Sequence, residues 1–299
     1  MTSQLAGLDA SKLNITKTTT PKKVLQNDQI VFGKTFTDHM LIIDWDAEKG
    51  WLTPQIQPYG PLVMDPSSCV FHYGFELFEG FKAYKDAQGK VRMFRPDLNM
   101  KRMNKSAARI CLPTFDGDEL LKLIEKLLKL DSKFVPDERC YSLYIRPTMI
   151  GTDAGLGVGT PSKARIFVIC SPVGPYFRKA ISLEATDYAV RAWPGGVGDK
   201  KLGGNYAPCI KPQLEAASRG FQQNLWLFGP EKNITEAGVM NFFAAFKDAA
   251  TGKKELVTAP LDGTILEGIT RDSILSLCRE RLNKDELTVN ERYCSVIYW

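Results

Sequence analysis

The sequence predicts an α+β protein with two domains. Segments of strand character dominate the first half, and helical segments come in pairs, whereas a parallel α/β fold would alternate strands with helices. A chain of 299 residues exceeds the size at which a single hydrophobic core usually stops growing. The regular patterning also lapses in residues 171–184, where a Pro-Val-Gly-Pro stretch is typical of a linker.

These observations divide the chain into four segments. Residues 1–30 are rich in Thr, Ser and Lys and are predicted to be a flexible lead-in. Residues 31–176 are predicted to form the first domain, residues 177–186 the interdomain linker, and residues 187–299 the second domain.

Short apolar runs of strand length indicate the strands of the first domain. They are residues 40–45, 69–73, 80–84, 91–94, 141–145 and 165–170. Pro96 marks the start of one predicted helix. A second helix is predicted over residues 118–130, because Leu and Ile recur there at helical spacing opposite Lys and Glu.

The second domain is predicted to mix strands and helices around a glycine-rich loop. Its predicted strands are residues 187–193, 224–228, 239–246 and 256–259, and its predicted helices are residues 207–219 and 272–282. Gly220 is the expected stop of the first of these helices.

Composition excludes several classes of function. The net charge of +5 is modest and the basic residues are scattered, which argues against nucleic-acid binding. Only His39 and His72 are present, so a histidine-rich metal site is excluded. Seven cysteines without a C-x-x-C pair, and an N-terminus without an apolar signal core or arginine, predict a cytoplasmic protein, with a mitochondrial one left open.

The stretch 195–206 carries the strongest chemical signal. It reads Gly-Gly-Val-Gly-Asp-Lys-Lys-Leu-Gly-Gly-Asn-Tyr, so it places two lysines beside backbone that a planar ligand can approach closely. A desolvated lysine amine can attack a carbonyl and form a Schiff base, which is how pyridoxal phosphate is held. A Walker-type phosphate loop is excluded because Leu202, and not Ser or Thr, follows the lysines. The alternative is two solvated charges on a surface turn.

The segment Lys-Leu-Gly-Gly-Asn-Tyr, residues 201–206, resembles the cofactor-lysine loop of branched-chain amino-acid aminotransferases, which are fold-type IV pyridoxal-phosphate enzymes. The resemblance extends from about Asp44 to about Cys294. It implies that Lys201, and not Lys200, forms the Schiff base with pyridoxal 5'-phosphate. It also implies a small first domain for substrate and dimer contacts and a large second domain for the cofactor.

By the same resemblance, Glu236 in Ile-Thr-Glu-Ala-Gly pairs with the pyridine nitrogen and Tyr206 donates to the ring oxygen. Without the resemblance, Glu236 would be taken for an exposed loop residue and Tyr206 for a packed side chain. Val239 stands where the family usually has a threonine near the substrate.

The resemblance assigns the cofactor phosphate to Arg102 and to the backbone amides of Ile269 and Thr270. A fixed charge with forked donors and the N-terminus of a helix both suit an anion. The alternative for Arg102 is a surface charge on a helix.

The substrate side is implied to come from the first domain. Aromatic side chains would hold an apolar substrate side chain, and Arg146 would bind the distal carboxylate of glutamate. Tyr73, with Leu156 and Val158, would reach the site of the neighbouring subunit, which implies a homodimer. The implied substrate residues are Tyr73, Phe78, Tyr144, Arg146, Leu156, Val158 and Tyr176. Ordinary core packing is the alternative for the aromatic residues.

The implied reaction is ping-pong transamination of leucine, isoleucine and valine with 2-oxoglutarate, which gives branched-chain 2-oxo acids and glutamate. The amine of Lys201 would move the proton between the substrate α-carbon and the cofactor.

Family members continue with a Gly-x-Gly-Thr-Ala turn, whereas residues 295–299 do not resemble the family. The sequence therefore raises the expectation of an incomplete second domain. Two alternatives stay open at this point: a catalytically dead truncated fragment, and a fold-type IV relative that acts on D-amino acids or aminodeoxychorismate.

Overall fold

The computed structural model describes residues 5–177, 179–282 and 287–295. It divides the chain into two compact units, Met1–Arg178 and Lys179–Trp299. The point of division lies inside the stretch 177–186. The functions assigned to the two domains stay predictions.

The first unit contains a nine-stranded sheet. Its main order is β1-β4-β2-β9-β8-β6-β7, with β3 paired to β2 and β5 paired to β8. All pairings are antiparallel except that of β1 with β4. The strands are β1 Asn14–Ile15, β2 His39–Asp46, β3 Gly50–Trp51, β4 Gln55–Pro58, β5 Glu76–Phe78, β6 Phe81–Lys85, β7 Val91–Met93, β8 Ser142–Gly151 and β9 Lys163–Val173.

One face of this sheet forms the core of the first unit. Leu41 of β2 lies opposite Val168 of β9, and Ile145 of β8 lies opposite Cys170, and all four side chains are buried. Helices α2 (Pro96–Arg109) and α3 (Gly117–Leu130) pack on the sheet and on each other. The apolar stripe of α3 is fully buried, as its helical spacing predicts.

The opposite face carries the residues predicted to meet the substrate. Side chains alternate between the faces of a strand, so Tyr144 and Arg146 share a face that excludes Ile145. Phe78 of β5 pairs with Thr148 of β8 and therefore joins the same face.

Residues 69–73 are a helix, so the prediction of a strand there is wrong. Helix α1 (Cys69–Tyr73) begins after Ser68 and ends at Gly74, which has φ of 65° and accepts the left-handed conformation that stops a helix. The aromatic and β-branched content of the run favoured a strand, but the flanking Ser68 and Gly74 are helix signals.

The described part of the lead-in is bound to the first unit. Asn14–Ile15 pairs in parallel with β4. The Thr18 amide donates to His39 Nε2 at 2.9 Å, and the Lys22 amide donates to Asp38 Oδ1 at 2.8 Å. These two hydrogen bonds connect the lead-in to His39, the first residue of β2, and to Asp38, which precedes that strand. The flexibility of residues 1–30 stays a prediction.

The second unit contains two smaller sheets. In the first, β10 pairs in parallel with β11, and β11, β12 and β13 are antiparallel. In the second, β14 lies antiparallel and β16 parallel to β15. The elements are β10 Leu183–Thr186, β11 Gln223–Phe228, β12 Asn233–Ala237, β13 Met240–Asn241, β14 Phe243–Lys247, β15 Lys254–Thr258, β16 Leu287–Glu291, α4 Ile210–Ser218 and α5 Ile269–Arg281.

Two strand predictions in this unit are wrong. The strand predicted over 187–193 lies earlier, at β10, because Tyr188 and Val190 are exposed and their alternation does not reflect burial. The strand predicted over 239–246 is divided between β13 and β14, which belong to different sheets. Both errors concern short segments whose pairing partners decide the structure.

Candidate active site

The two lysines of the glycine-rich loop have different partners. Lys201 Nζ donates a hydrogen bond of 2.8 Å to the hydroxyl of Tyr206. Lys200 Nζ forms an ion pair with the carboxylate of Asp199. The structure therefore brings Lys201 and Tyr206 together, as expected from the sequence, and gives Lys200 a partner next to it in the chain.

Asn205 fixes the backbone of this loop. Its side-chain amide donates to the carbonyls of Val197 and Lys200, both at 2.8 Å. Gly198 is required where it stands, because an added Cβ would lie 2.1 Å from Cβ of Ala192. Asn205 was not predicted as a site residue, although it belongs to the quoted motif.

Glu236 is a buried carboxylate, only 3% exposed. Its Oε1 accepts from Asn241 Nδ2 at 3.0 Å and from the Leu266 amide at 2.9 Å. Its Oε2 lies 2.9 Å from Arg191 Nε, an ion pair whose geometry is not that of a hydrogen bond. The exposed-loop alternative for Glu236 is therefore wrong, because the side chain is buried and the residue lies in strand β12.

A tight hairpin places Glu236 and Asn241 side by side. Glu236 lies opposite Asn241 in the pairing of β12 with β13. Gly238 turns the chain with φ of 59°, and an added Cβ there would lie 2.2 Å from Gln223 Oε1. Val239 stands at the tip of this turn and is half exposed.

Ile269 and Thr270 form the first turn of α5, after Gly268 as N-cap. The first turn of a helix leaves its N–H groups without partners inside the helix, and the helix dipole is positive at that end. The geometry suits an anion. The loop that leads into α5 carries Leu266. The Leu266 amide donates to Glu236, and the Leu266 carbonyl accepts from Asn241 at 2.9 Å.

A small, partly open cavity of about 20 Å³ in the second unit is lined by several of these residues. Burial raises the pKa of the Cys209 thiol in its wall, and Arg191 and Glu236 act on that pKa in opposite directions. The thiol is therefore kept protonated. The lining consists of Arg191, Gly198, Lys200, Asn205, Tyr206, Cys209, Glu236, Gly238, Val239 and Leu266.

Arg102 is buried in the first unit, 8% exposed, so the surface-charge alternative is wrong. Its Nε and Nη2 donate to the two carboxylate oxygens of Glu79 at 2.7 and 2.8 Å. Asn99 Nδ2 also donates to Glu79, at 2.8 Å. This fork-to-fork pairing holds the guanidinium plane in a fixed orientation.

Four of the predicted substrate residues lie together in the first unit. The Arg146 guanidinium lies 4.4 Å from the ring centroid of Phe78, and its Nη2 donates to the Tyr144 hydroxyl at 3.0 Å. Phe32 joins Tyr144 to Tyr176, with ring centroids 5.4 and 5.7 Å away. Phe32 was not predicted, and it lies in a segment without periodicity.

Two of the other three predicted substrate residues are in contact with each other. The Tyr73 hydroxyl donates to the carbonyl of Leu156. Leu156 is 67% and Val158 80% exposed. A larger cleft of about 720 Å³, lined by Trp51, Val63 and Arg165 among others, contains none of the predicted site residues.

The amino-transferase class IV family matches residues 76–297, and the chain belongs to this family. The chain is 67% identical over 294 residues to the mitochondrial branched-chain-amino-acid aminotransferase of Saccharomyces cerevisiae, covering 97% of this chain and 75% of that protein. It is 66% identical over 295 residues to the cytosolic branched-chain-amino-acid aminotransferase of the same yeast, covering 98% and 78%.

Solved structures agree with this assignment. The branched-chain amino acid aminotransferase of Escherichia coli matches with a TM-score of 0.69 at 25% identity, over 86% of this chain and 79% of that one. The branched-chain amino acid aminotransferase of Thermobaculum terrenum, solved in its PLP form, shares the fold with a TM-score of 0.65 at 24% identity, over 87% and 78%.

These matches confirm the resemblance and the α+β fold of the fold-type IV aminotransferases that the sequence predicts. They do not favour either alternative kept open above. The relatives include a mitochondrial and a cytosolic protein, so the compartment is not determined. Within the described residues, each helix is too short or too polar to cross a membrane.

Replacing Gly268 by alanine is expected to destabilise the second unit by about 1–3 kcal/mol, the usual cost of overpacking. An added Cβ would lie 1.9 Å from Asn241 Oδ1, so the amide that binds Glu236 must move. Urea unfolding of Gly268→Ala measures the effect. Gly204→Ala is the control, because an added Cβ at Gly204 meets nothing within 4 Å. If both variants lost the same free energy of unfolding, the clash with Asn241 would not be the cause.

Proposed function

We propose that this chain is a pyridoxal-phosphate-dependent aminotransferase that transfers the amino group of leucine, isoleucine or valine to 2-oxoglutarate. The observation that carries the proposal is the pairing of Lys201 with Tyr206 in the same unit as a buried Glu236 that lies beside Arg191. High identity to two branched-chain-amino-acid aminotransferases supports the choice of substrates.

The side chains fit the needs of pyridoxal phosphate, which are a lysine for the aldehyde, an acid at the ring nitrogen, a polar partner for the ring oxygen and an anion site. The residues that would hold the cofactor are Arg102, Lys201, Tyr206, Glu236, Ile269 and Thr270.

Each residue then has a chemical task. Bound pyridoxal phosphate supplies an electron sink for the bonds at the substrate α-carbon. Glu236 would favour a proton on the ring nitrogen, because the nearby Arg191 guanidinium favours the carboxylate form of its side chain. The Lys201 amine would act as the base that takes the proton from the substrate α-carbon. Tyr206 orients the lysine amine through the hydrogen bond to Nζ.

The aromatic group of the first unit suits both substrates. Phe78, Tyr144 and Tyr176 offer apolar surface to a branched side chain. Arg146 lies among them and can bind the second carboxylate of glutamate or 2-oxoglutarate. Apolar and acidic side chains can thus occupy the same place in turn.

We also propose a homodimer in which Tyr73, Leu156 and Val158 complete the partner's site. The support is the exposure of Leu156 and Val158 together with the bond that ties Tyr73 to Leu156. A cytoplasmic location is proposed as well, and the seven unpaired cysteines support it because a reducing compartment keeps thiols free.

Lys201 is expected to be the lysine that bonds the cofactor. Borohydride reduction of the cofactor-loaded chain, followed by tandem mass spectrometry of the peptide, should give a phosphopyridoxyl group on Lys201. Lys200→Arg should still be labelled and Lys201→Arg should not. A label on Lys200 in the unaltered chain would contradict the assignment.

Arg146→Met is expected to raise KM for 2-oxoglutarate roughly 10- to 100-fold, which corresponds to the free energy of a hydrogen bond to a charged group, with a small effect on KM for leucine.

The substrate class is tested separately by steady-state assays of the unaltered chain with leucine, valine, aspartate and D-alanine. If D-alanine gave the highest kcat/KM, the branched-chain assignment would be wrong.

Hybrid dimers are expected to regain activity that neither parent has. Lys201→Ala lacks the lysine, and Tyr73→Ala lacks the residue proposed to serve the partner. A hybrid of the two chains has one site with both residues intact, because Lys201 and Tyr73 of that site come from different chains. Leucine transamination by co-expressed chains measures this, and no gain over the two parents would exclude shared sites.

A further inference from the structure

Arg191 lies in a bend, outside the described strands and helices of the second unit. Its Nη2 donates to the carbonyl of Gly198 at 2.9 Å and to that of Thr264 at 3.1 Å. Its Nε lies 2.9 Å from Glu236 Oε2. One side chain thus contacts the lysine loop, the loop 262–266 and the buried carboxylate.

The loop 262–266 is anchored by a small polar cluster. Asp262 Oδ1 accepts from the amide and the hydroxyl of Thr264, at 3.1 and 2.7 Å. The Tyr293 hydroxyl donates to Asp262 Oδ2 and lies 2.9 Å from Thr264 Oγ1. Thr264 is buried, so this cluster fixes the direction of its carbonyl.

The protonation states of the cluster suit this role. Burial and the hydrogen bond to Asp262 raise the pKa of Tyr293 to about 12, so the hydroxyl keeps its proton at neutral pH. Burial opposes the ionisation of Asp262, but the hydrogen bonds from Tyr293 and Thr264 outweigh it and keep the pKa of that carboxyl below its ordinary value. A charged acceptor thus faces a neutral donor.

The same loop holds Glu236 from two sides. The Thr264 carbonyl accepts from Arg191, which faces Oε2, and the Leu266 amide donates to Oε1. A shift of the loop would therefore move the cationic neighbour and the hydrogen-bond donor of Glu236 together.

We propose that Arg191 is a positioning residue that holds the Glu236 carboxylate in place for the cofactor's ring nitrogen, and that Tyr293 positions Arg191 through Asp262 and Thr264. The inference rests on the proposed function, which gives Glu236 its place at that nitrogen. Loss of the Arg191 guanidinium would remove a cation that faces this buried carboxylate, so the carboxylate would turn or take up a proton more readily.

A merely structural arginine would have a different signature. It would stabilise the unloaded chain, and its loss would lower cofactor affinity by the same factor whether or not Glu236 carried a charge. An arginine that acts through Glu236 loses its effect on cofactor affinity once the charge of Glu236 is removed.

A double-mutant cycle separates the two roles. Arg191→Lys, Glu236→Gln and the double variant are made in the full chain, and the Kd of pyridoxal phosphate is measured by fluorescence titration. Arg191→Lys is expected to raise Kd roughly tenfold alone and to have little effect in the Glu236→Gln background. The melting temperature of each unloaded chain reports the structural contribution separately.

Tyr293→Phe provides a second variant that removes only a hydroxyl. Alone, Tyr293→Phe is expected to raise the Kd of pyridoxal phosphate roughly threefold or more. In a chain that already carries Arg191→Lys, it is expected to leave that Kd unchanged. Arg219→Lys is the control. Arg219 donates two hydrogen bonds to Glu184, which lies on β10 in the sheet that contains Glu236, but Arg219 does not contact Glu236 itself. The Kd of Arg219→Lys should equal that of the unaltered chain.

The inference would be overturned if Arg191→Lys raised the Kd of pyridoxal phosphate by the same factor in the unaltered chain and in the Glu236→Gln variant. The proposed function would still stand in that case, provided that the unaltered chain binds pyridoxal phosphate. An unchanged Kd for both Arg191→Lys and Tyr293→Phe would also overturn the inference. If the unaltered chain bound no pyridoxal phosphate, the proposed function would fail and this inference with it.

Discussion

The burial of one negative charge shapes the second unit. A carboxylate as enclosed as Glu236 costs several kcal/mol unless a cation and hydrogen-bond donors meet it. Here Arg191, Asn241 and the Leu266 amide do so from three different segments. The buried carboxylate therefore contacts the β12–β13 hairpin, the loop before α5 and Arg191, which lies outside these elements. Arg191 also binds the Gly198 carbonyl and so links the lysine loop to the same site.

The first unit follows the same rule at other places. Glu79 is fully buried and is met by Arg102 and Asn99, while Asp131 accepts from His39 Nδ1 at 2.7 Å and from the His39 amide at 2.9 Å. Since Thr18 donates to the other ring nitrogen of His39, the imidazole carries its proton on Nδ1. Each buried charge thereby fixes the orientation of its neighbour, and a fixed orientation is what a binding site needs.

Composition failed as a guide where the residues at the ends of a segment, or its contacts with other segments, decided the structure. The run 69–73 has the composition of a strand, yet Ser68 and Gly74 make it a helix. Tyr188 and Val190 alternate as a strand would, yet they face outward, while Arg191 donates to two carbonyls and lies beside the Glu236 carboxylate. In both places the composition of the segment was a weaker guide than its ends or its partners.

The sequence alone determined the family, the α+β fold class and the helix α3, because a lysine loop and an apolar stripe are contiguous patterns in the chain. It also indicated Lys201 and Glu236 through motifs. Only the tertiary structure decided which residues contact the predicted site residues of each unit. Arg191, Phe32 and Tyr293 stand in no motif, and their importance lies in contacts with residues distant in sequence, made because buried charges and ring faces must find partners in three dimensions.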